Sequence, residues 1–405
     1  MPKLSIFLFL FSILNYQIVF AENHTLNIYA NSSFQSGKSL GSQHSSIRAG
    51  KSKVKFNLKY DSINSSLQLA LNYDKNKKLI FDDSYLQASY KNVIIGVGMI
   101  DRLWSFSDRT SLILSDNARP SEAIYLKFKN EFKKNWLPSN ANWSFEIFNG
   151  NIKGNLKGRN SMLLGMRAIL TPIEGLNFEM IQTSQWGGMN YSKGLSAFRA
   201  ALIGNTNESS NSNINKMAGV GVSYLNTNKI IPLRVYGQAI GEDEAGSLPS
   251  CYAYLVGVEY SNLKIKYPIT LGIEAVDTRV NKTTHGNCGP NTFYNNSVYS
   301  YTNYGDTIGS DIDTEGVSLE FFGKSKISQK IDIDYSTKVV IINDSNWSNH
   351  RLSSKRQSGL INSIGASWSK NDISFTGNVY HQNFNLNKTE IKKGLGVNFS
   401  TSITF

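Results

Sequence analysis

The residues of this sequence best suited to ligand chemistry lie in one segment, residues 102–120. It carries Arg102, Trp104, Arg109, Asn117 and Arg119. A guanidinium can hold a carboxylate through two hydrogen bonds, an indole offers a flat apolar face to a sugar ring, and an amide can bond hydroxyls. These residue types predict a site for an acidic sugar. The same side chains could instead pair with carboxylates of the protein and hold the segment as a plug, and both roles can apply together.

An acidic run, Glu242-Asp243-Glu244, has three interpretations. It could pair with the arginines, bind Ca²⁺ through carboxylate oxygens, or supply the two carboxylates of a glycosidase. Adjacent residues on a strand point to opposite faces of the sheet, so the spacing does not aim two acids at one bond. Structural pairing is the favoured interpretation.

The histidines show no pattern typical of a metal or catalytic site. No nucleophile motif lies near them and their spacing does not suit metal ligands. The five are His24, His44, His285, His350 and His381. We therefore predict no catalytic residue, no metal site and no cofactor, and these residues leave an outer-membrane hydrolase as an unsupported alternative.

The two ends of the chain indicate export. Met1–Ala21 resembles a secretory signal peptide, with an apolar stretch over Leu4–Leu14, and the mature domain is expected to span residues 22–405. The last strand, from Gly394, alternates apolar residues up to a terminal Phe405, which is typical of bacterial outer-membrane barrels. This ending predicts insertion into outer-membrane lipid with the help of the barrel-assembly machinery.

Segments of alternating polarity separated by turn residues recur along the chain and predict an all-β protein. No mature segment approaches the roughly 20 apolar residues of a membrane helix, so spanning lipid requires a closed barrel. We predict a transmembrane antiparallel β-barrel of about 18 strands. Strands are expected to begin near residues 25, 53, 65, 81, 93, 122, 142, 161, 176, 217, 232, 251, 267, 314, 330, 360, 372 and 394.

An even number of strands places both termini in the periplasm and divides the connections into inner and outer ones. The inner connections are mostly short, whereas the outer ones include the long stretches 103–121, 187–216, 280–313 and 343–359. This division is typical of outer-membrane barrels. We expect the segment from Arg102 to Pro120, which contains a short apolar run, to fold into or over the lumen.

The charge of the chain indicates its class of partner, and its two cysteines indicate a cross-link. The formal net charge of +12 favours acidic partners such as anionic lipid or acidic polysaccharide, while export makes nucleic acid an unsuitable one. Cys251 and Cys288 both fall on the outer side of the predicted barrel. A disulfide between them is plausible in an exported protein, and two free thiols are the alternative.

Several segments resemble the capsule assembly protein Wzi family. They occur in the family's order within residues 93–323 and are Ser111–Pro120, Gly165–Arg167, Ser184–Gly188, Tyr236–Gln238, Gly241–Pro249 and Tyr304–Asp311. The resemblance implies an outer-membrane barrel that binds capsular polysaccharide as a lectin and helps to hold it at the cell surface. Two features depart from the family. Trp104–Asp108 replaces a Trp-Gly-Pro-Gly-Trp-like stretch, and the residues after Glu22 are strand-like instead of helical.

We predict a non-enzymatic barrel that binds a surface polysaccharide of acidic character. The predicted contact residues are Arg102, Trp104, Arg109, Asn117 and Arg119, with Trp186 and Asp243 behind them. All lie on outer connections or strand ends, so we expect them to form one patch at the outer face or upper lumen. The alternative is a diffusion channel for small anionic solutes, selected by a basic lumen.

Overall fold

The chain forms a closed antiparallel β-barrel. The computed structural model describes residues 25–36, 40, 52–61, 64–74, 79–131, 141–154, 159–203, 214–226, 232–245, 248–262, 264–280 and 288–404. The expected signal peptide, Met1–Ala21, and the terminal Phe405 lie outside these ranges. Within them, no helix is long and apolar enough to cross a membrane.

Twenty-one strands and one helix make up the described part of the chain. They are β1 (Thr25–Ser36), β2 (Ser52–Asp61), β3 (Ser65–Asp74), β4 (Leu79–Ile80), β5 (Tyr85–Tyr90), β6 (Val93–Met99), β7 (Glu122–Glu131), β8 (Asn142–Asn151), β9 (Met162–Ile173), β10 (Leu176–Trp186), α1 (Leu195–Ile203), β11 (Asn215–Leu225), β12 (Leu233–Ala245), β13 (Leu248–Asn262), β14 (Ile269–Asp277), β15 (Thr302–Asn303), β16 (Asp306–Thr307), β17 (Val317–Ser328), β18 (Ile331–Ile342), β19 (Gln357–Lys370), β20 (Ile373–Gln382) and β21 (Gly394–Thr404).

Backbone pairing closes the sheet into a ring. Each long strand pairs antiparallel with the next along the chain, β3 with β5 and β14 with β17 included. The last strand, β21, then pairs with β1 from Tyr29 opposite Thr404 to Ser36 opposite Val397. Leaving aside the two-residue strands β4, β15 and β16, the described residues form 18 wall strands. The predicted antiparallel barrel of about 18 strands is confirmed.

The wall alternates apolar residues on its outside with packed or polar residues on its inside. On β7, Ile124 is 65% exposed whereas the next residue, Tyr125, is 1% exposed. On β20, Phe375 and Val379 face out while Tyr380 and Gln382 are buried in the lumen. Since successive side chains of a strand point to opposite faces, this alternation gives the barrel an apolar outer band.

The connections differ in length at the two ends of the barrel, as predicted. Strands β5 and β6, β9 and β10, β17 and β18, and β19 and β20 are joined by two residues each at the inner end. The connections at the outer end include 100–121, 278–316, 343–356 and 383–393. Helix α1 lies in another outer connection and was not predicted. Its Ala201 is buried with Trp186, and its Phe198 packs against the same ring.

The interior is filled from the outer end. The main buried cluster combines wall residues with residues of the outer connections, among them the fully buried Leu112, Ile113, Phe293 and Leu386. The core of this barrel is therefore made by loops that fold inward, and these loops position the candidate site.

Candidate functional site

Residues 100–121, here called the plug loop, join β6 to β7 and lie inside the lumen. The backbone N–H of Leu112 donates to Gln238 Oε1 at 3.0 Å, and Gln238 Nε2 donates to the carbonyl of Trp104 at 2.8 Å. The hydroxyl of Tyr301 donates to the carbonyl of Ile113 at 2.6 Å. These bonds satisfy backbone groups that would otherwise be buried without partners. The predicted fold of this segment into the lumen is confirmed.

The three arginines of the plug loop each pair with a carboxylate of the barrel. Arg102 Nε donates to Glu146 Oε1 at 2.8 Å, and Arg109 Nη2 donates to Glu320. Arg119 holds both oxygens of Asp82, with Nε–Oδ2 at 3.0 Å and Nη2–Oδ1 at 2.8 Å. The carboxylates that pair with these arginines therefore lie on or next to the wall strands. They do not belong to the acidic run at 242–244.

Each of these guanidinium groups also lies over an aromatic ring. Arg102 is 4.2 Å from the ring centre of Phe148, Arg109 is 4.6 Å from that of Phe322, and Arg119 is 4.0 Å from that of Tyr304. A flat, weakly hydrated guanidinium can stack on a ring while its edge bonds a carboxylate. These paired contacts fix the plug loop at three points around the lumen.

Two arginines of the wall, whose role the sequence did not predict, hold the backbone of the same loop. Arg167 Nη2 donates to the carbonyl of Ser105 at 3.1 Å, and Arg234 Nη1 donates to the carbonyl of Phe106 at 3.0 Å. Each is itself paired with a glutamate of a neighbouring strand. The sequence contained one sign of a role for Arg167, because this residue belongs to a segment that resembles the Wzi family.

The two predicted tryptophans are buried and lie in different clusters. Trp104 is 2% exposed and packs edge-on against Phe148, with ring centres 5.3 Å apart. Trp186 is 4% exposed, and its Nε1 donates to Asn149 Oδ1 at 3.1 Å. Gly165 makes the first cluster possible, because a Cβ there would lie 2.2 Å from Phe148 Cε1.

The remaining predicted residues occupy separate positions. Asn117 Nδ2 donates to the carbonyl of Thr307 at 2.8 Å, which ties the plug loop to the outer connection above it. Asp243 lies on β12 opposite Ser250, and its side chain is outside the described residues. The structure thus brings Arg102 and Trp104 together on Phe148, and Arg119 lines the same cavity as Arg102. Arg109 and Asn117 line a second cavity, and Trp186 lies in a separate cluster.

The outer connection 288–316 covers the plug loop. The N–H of Ser115 donates to the carbonyl of Ile308 at 2.9 Å, and Asn303 Nδ2 donates to the carbonyl of Arg119 at 2.8 Å. Cys251 and Cys288 form a disulfide at the start of this connection, with Cα atoms 5.2 Å apart. At its tip, Tyr304 remains 44% exposed although Arg119 covers one face of its ring.

A buried ion pair joins this connection to the next one. Arg351 Nε donates to Asp313 Oδ2 at 2.9 Å, and the side chain of Asp313 has no exposed surface. Burial raises the pKa of Asp313, but the charge and hydrogen bonds of Arg351, together with His350 and the backbone of Thr314, outweigh burial, so the pKa lies below its ordinary value.

His350 stands beside this pair in its neutral form. Its Nε2 donates to the carbonyl of Thr314 at 2.9 Å, and its Nδ1 accepts the N–H of Leu352 at 3.1 Å, which assigns the proton to Nε2. Burial lowers the pKa of His350. A second proton would have to displace the N–H of Leu352 from Nδ1.

Two outer connections, 343–356 and 383–393, form one surface that we call the basic platform. Ser354 N donates to Asn387 Oδ1 at 2.9 Å, and Lys388 Nζ donates to the carbonyl of Ser348 at 2.6 Å. Leu386 and Ile391 anchor the second connection in the main buried cluster. The exposed cations of the platform are Lys355, Arg356, Lys388, Lys392 and Lys393.

The charge of the basic platform is strongly positive. Its two connections carry six Lys and Arg residues against two acids, Asp344 and Glu390, which gives a net charge of +4 with His350 neutral. Asp344 is shared by Arg356 and Arg279, at 2.8 and 3.0 Å respectively. Arg351, one of the six cations, is paired with the buried Asp313, and the other five are displayed from a folded surface at the outer end of the barrel.

Comparison with protein families and solved structures agrees with this architecture. Residues 15–336 match the family described as capsule assembly protein Wzi. The fold is similar to that of Wzi from Escherichia coli, an outer-membrane protein involved in group 1 capsule assembly and described as a carbohydrate-binding β-barrel. That comparison has a TM-score of 0.76 and 19% identity, and it covers 93% of this chain and 84% of the other.

Two further proteins, one similar in sequence and one in fold, extend the comparison. An uncharacterised 55.8 kDa protein of the Klebsiella pneumoniae cps region is 27% identical over 202 residues, which are 49% of this chain and 40% of that protein. The matching region thus spans about two fifths of this curated relative. The outer-membrane protein OprD of Pseudomonas aeruginosa has the same kind of fold, with a TM-score of 0.55, 9% identity, and coverage of 95% of this chain and 94% of that one. The closed barrel with its apolar outer band resides in the bacterial outer membrane.

Proposed function

This chain belongs to the capsule assembly protein Wzi family, and we propose that it binds an acidic surface polysaccharide at its outer face. The bound polymer is retained or assembled at the cell surface and is not chemically changed. The proposal extends to this chain what is described for Wzi of Escherichia coli, which is a carbohydrate-binding barrel.

The observation that carries the proposal is the basic platform. Its net charge of +4 lies on two connections that are bonded to each other and anchored in the core. An anionic polymer gains favourable electrostatic energy from many such cations at once, and a prefolded surface loses little conformational entropy on binding. Repeating acidic sugars are therefore the polymer class that this surface suits.

We assign the predicted contact residues to two roles. Arg119 stays partly exposed at the rim beside the exposed ring of Tyr304, where a sugar can reach both, and Asn117 supports this corner through Thr307. Arg102, Trp104 and Trp186 are buried with partners, so their proposed role is to hold the plug loop and the α1 connection. Asp243 remains a candidate from sequence alone.

Glu146, Glu320 and Asp82 each bind an arginine of the plug loop, and these ion pairs are suited to holding that loop in place.

The test compares two variants that lose equal charge at opposite ends of the barrel. In the platform variant, Lys355, Arg356, Lys388 and Lys392 are replaced by Gln; in the control variant, the exposed Lys264, Lys266, Lys326 and Lys330 near the inner end are replaced. Binding of the purified barrel to acidic and neutral polysaccharides is measured across a salt series. Four exposed charge contacts of about 0.4 kcal/mol each correspond to a loss on the order of tenfold.

We expect saturable binding to acidic polymers that weakens with salt, falls in the platform variant and persists in the control variant. Equal loss in both variants would mean that net charge alone attracts the polymer. Absence of binding to every polymer, together with ion conductance in planar bilayers, would favour the diffusion channel instead.

A further inference from the structure

A cavity of about 220 Å³ lies in the lumen between the plug loop and strands β17–β21. Arg109, Thr110 and Asn117 of the plug loop contribute to one side of it, and wall residues such as Ser336, Asn378 and Asn398 contribute to the other. It is separate from the basic platform, none of whose exposed cations lines it. Its volume suits one small polar molecule and not a polymer chain.

Two amide oxygens in this cavity have no hydrogen-bond donor among the described residues. Asn378 on β20 and Asn398 on β21 stand directly opposite each other, and Oδ1 of each is buried without a partner. Arg109 Nε, which also lies at the cavity, is buried and has no acceptor in the part of the chain that the structure describes, while the other end of its guanidinium binds Glu320. Buried polar atoms normally have partners, so this group of two acceptors and one donor is suited to a ligand.

The charges around the cavity disfavour an anionic ligand. Its lining includes four carboxylates, Asp116, Asp311, Glu320 and Asp334, against the two cations Arg109 and Lys338. Lys338 is already paired with Asp311 at 2.8 Å, and Arg109 with Glu320. No group of three or more acidic, His or Cys side chains in the described part of the chain is placed to hold a metal ion.

We propose that this lumenal cavity binds a single neutral sugar residue. The amide oxygens of Asn378 and Asn398 accept hydrogen bonds from its hydroxyls, and Arg109 Nε donates one. The apolar side of the sugar ring lies against Ile361 and Leu40, which also line the cavity. This site does not depend on the outer-face polymer site, and its preference for uncharged sugars is the opposite of the preference proposed there.

The experiment measures binding of D-glucose, D-galactose and D-glucuronate to the purified full barrel by calorimetry and ligand-observed NMR. Asn378→Ala and Asn398→Ala each remove one acceptor, and each is expected to weaken binding of the preferred neutral sugar about fivefold. Asn378→Asp retains an acceptor of similar size, so neutral-sugar binding should persist in it. Asn362→Ala, on the outward face of β19, is the matched control and should bind as the parent does.

The proposal is overturned if neither neutral sugar binds, if glucuronate binds as tightly as they do, or if both alanine variants bind unchanged. Retained sheet content by circular dichroism shows that a loss of binding is not a loss of folding. The platform variant described above should keep its neutral-sugar binding, which separates failure of this site from failure of the outer-face site.

Discussion

At the scale of single residues, the plug loop depends on arginines that each satisfy two partners. Arg119 bonds both oxygens of Asp82 and stacks on Tyr304, a combination that the point charge of a lysine cannot reproduce. Arg102 and Arg109 repeat the arrangement with Glu146 and Glu320. The guanidinium groups, which could bind an acidic sugar, are thus largely occupied by carboxylates and aromatic rings of the protein itself.

Replacement of Arg119 tests this view. Arg119→Ala removes the bidentate partner of the 6% exposed Asp82 and should lower the free energy of unfolding by about 1–3 kcal/mol. Asp82→Ala in the same chain should recover part of the loss, because no buried carboxylate then loses its partner. Arg356→Ala, which breaks a pair in which the arginine is 47% exposed, should cost less than about 1 kcal/mol. Denaturant unfolding of Arg119→Ala, Asp82→Ala, the double variant and Arg356→Ala gives the comparison. Strict additivity of the Arg119→Ala and Asp82→Ala losses in the double variant would contradict the prediction.

His350 should make the outer connections sensitive to mild acid. Its folded-state pKa lies below 6.5, so the unfolded state takes up a proton first as pH falls through 6.5. The free energy of unfolding therefore decreases as the pH falls from 6.5 to the folded-state pKa of His350. The lowered pKa of Asp313 keeps its carboxylate charged throughout this interval, so Asp313 does not contribute to the loss.

Hydrogen exchange of residues 343–356 between about pH 7.5 and 4.5 measures this effect. We expect exchange, corrected for its intrinsic pH dependence, to increase toward acid in the parent. His350→Gln keeps a donor for the Thr314 carbonyl and should remove the dependence, whereas His381→Gln on the outside of β20 should not. The same acid dependence in all three proteins would exclude His350 as its source.

At the scale of elements, the sequence was most informative where a pattern repeats. Alternating polarity located the wall strands, because a strand with one face to lipid and one to the lumen has a period of two. Helix α1 was missed because its nine residues are fixed by packing on Trp186 and not by a strong pattern of their own. The carboxylate partners were also missed, since Arg109 meets Glu320 only after β17 has taken its place in the closed ring.

The disulfide is the element-scale feature that is simplest to test. It closes a segment of 37 residues, for which the chain-entropy model gives a stabilisation of about 4 kcal/mol. Cys251→Ser with Cys288→Ser should loosen the connection 288–316 while leaving the wall ladders intact. Limited proteolysis should then cut that connection faster, and a reductant should have the same effect on the parent but none on the variant. Equal cleavage in parent and variant would show that packing on the plug loop suffices.

At the scale of the whole molecule, the plug loop divides the barrel into an outer binding face and a lumen. Leu112 and Ile113 have no exposed surface, and the outer connection 288–316 is bonded across them, so loop residues fill this part of the described lumen. A lectin tolerates a filled lumen, whereas a diffusion channel needs an open one. The acidic lining of the lumenal cavity also differs from the basic lumen expected for an anion channel.

Replacing residues 103–118 by a short Gly-Ser linker should therefore separate the two roles of the barrel. Single-channel conductance in planar bilayers should be low for the parent and should rise markedly in the linker variant, because the side chains and backbone that fill the lumen are gone. Polysaccharide binding should fall less than in the platform variant, since Leu386 and Ile391 anchor part of the basic platform from outside the deleted segment. Sugar binding in the lumenal cavity should disappear, because Arg109 and Asn117 leave with the loop. A parent barrel that already conducts as well as the linker variant would show that the plug loop does not close the lumen, and the channel would then become the better account of the molecule.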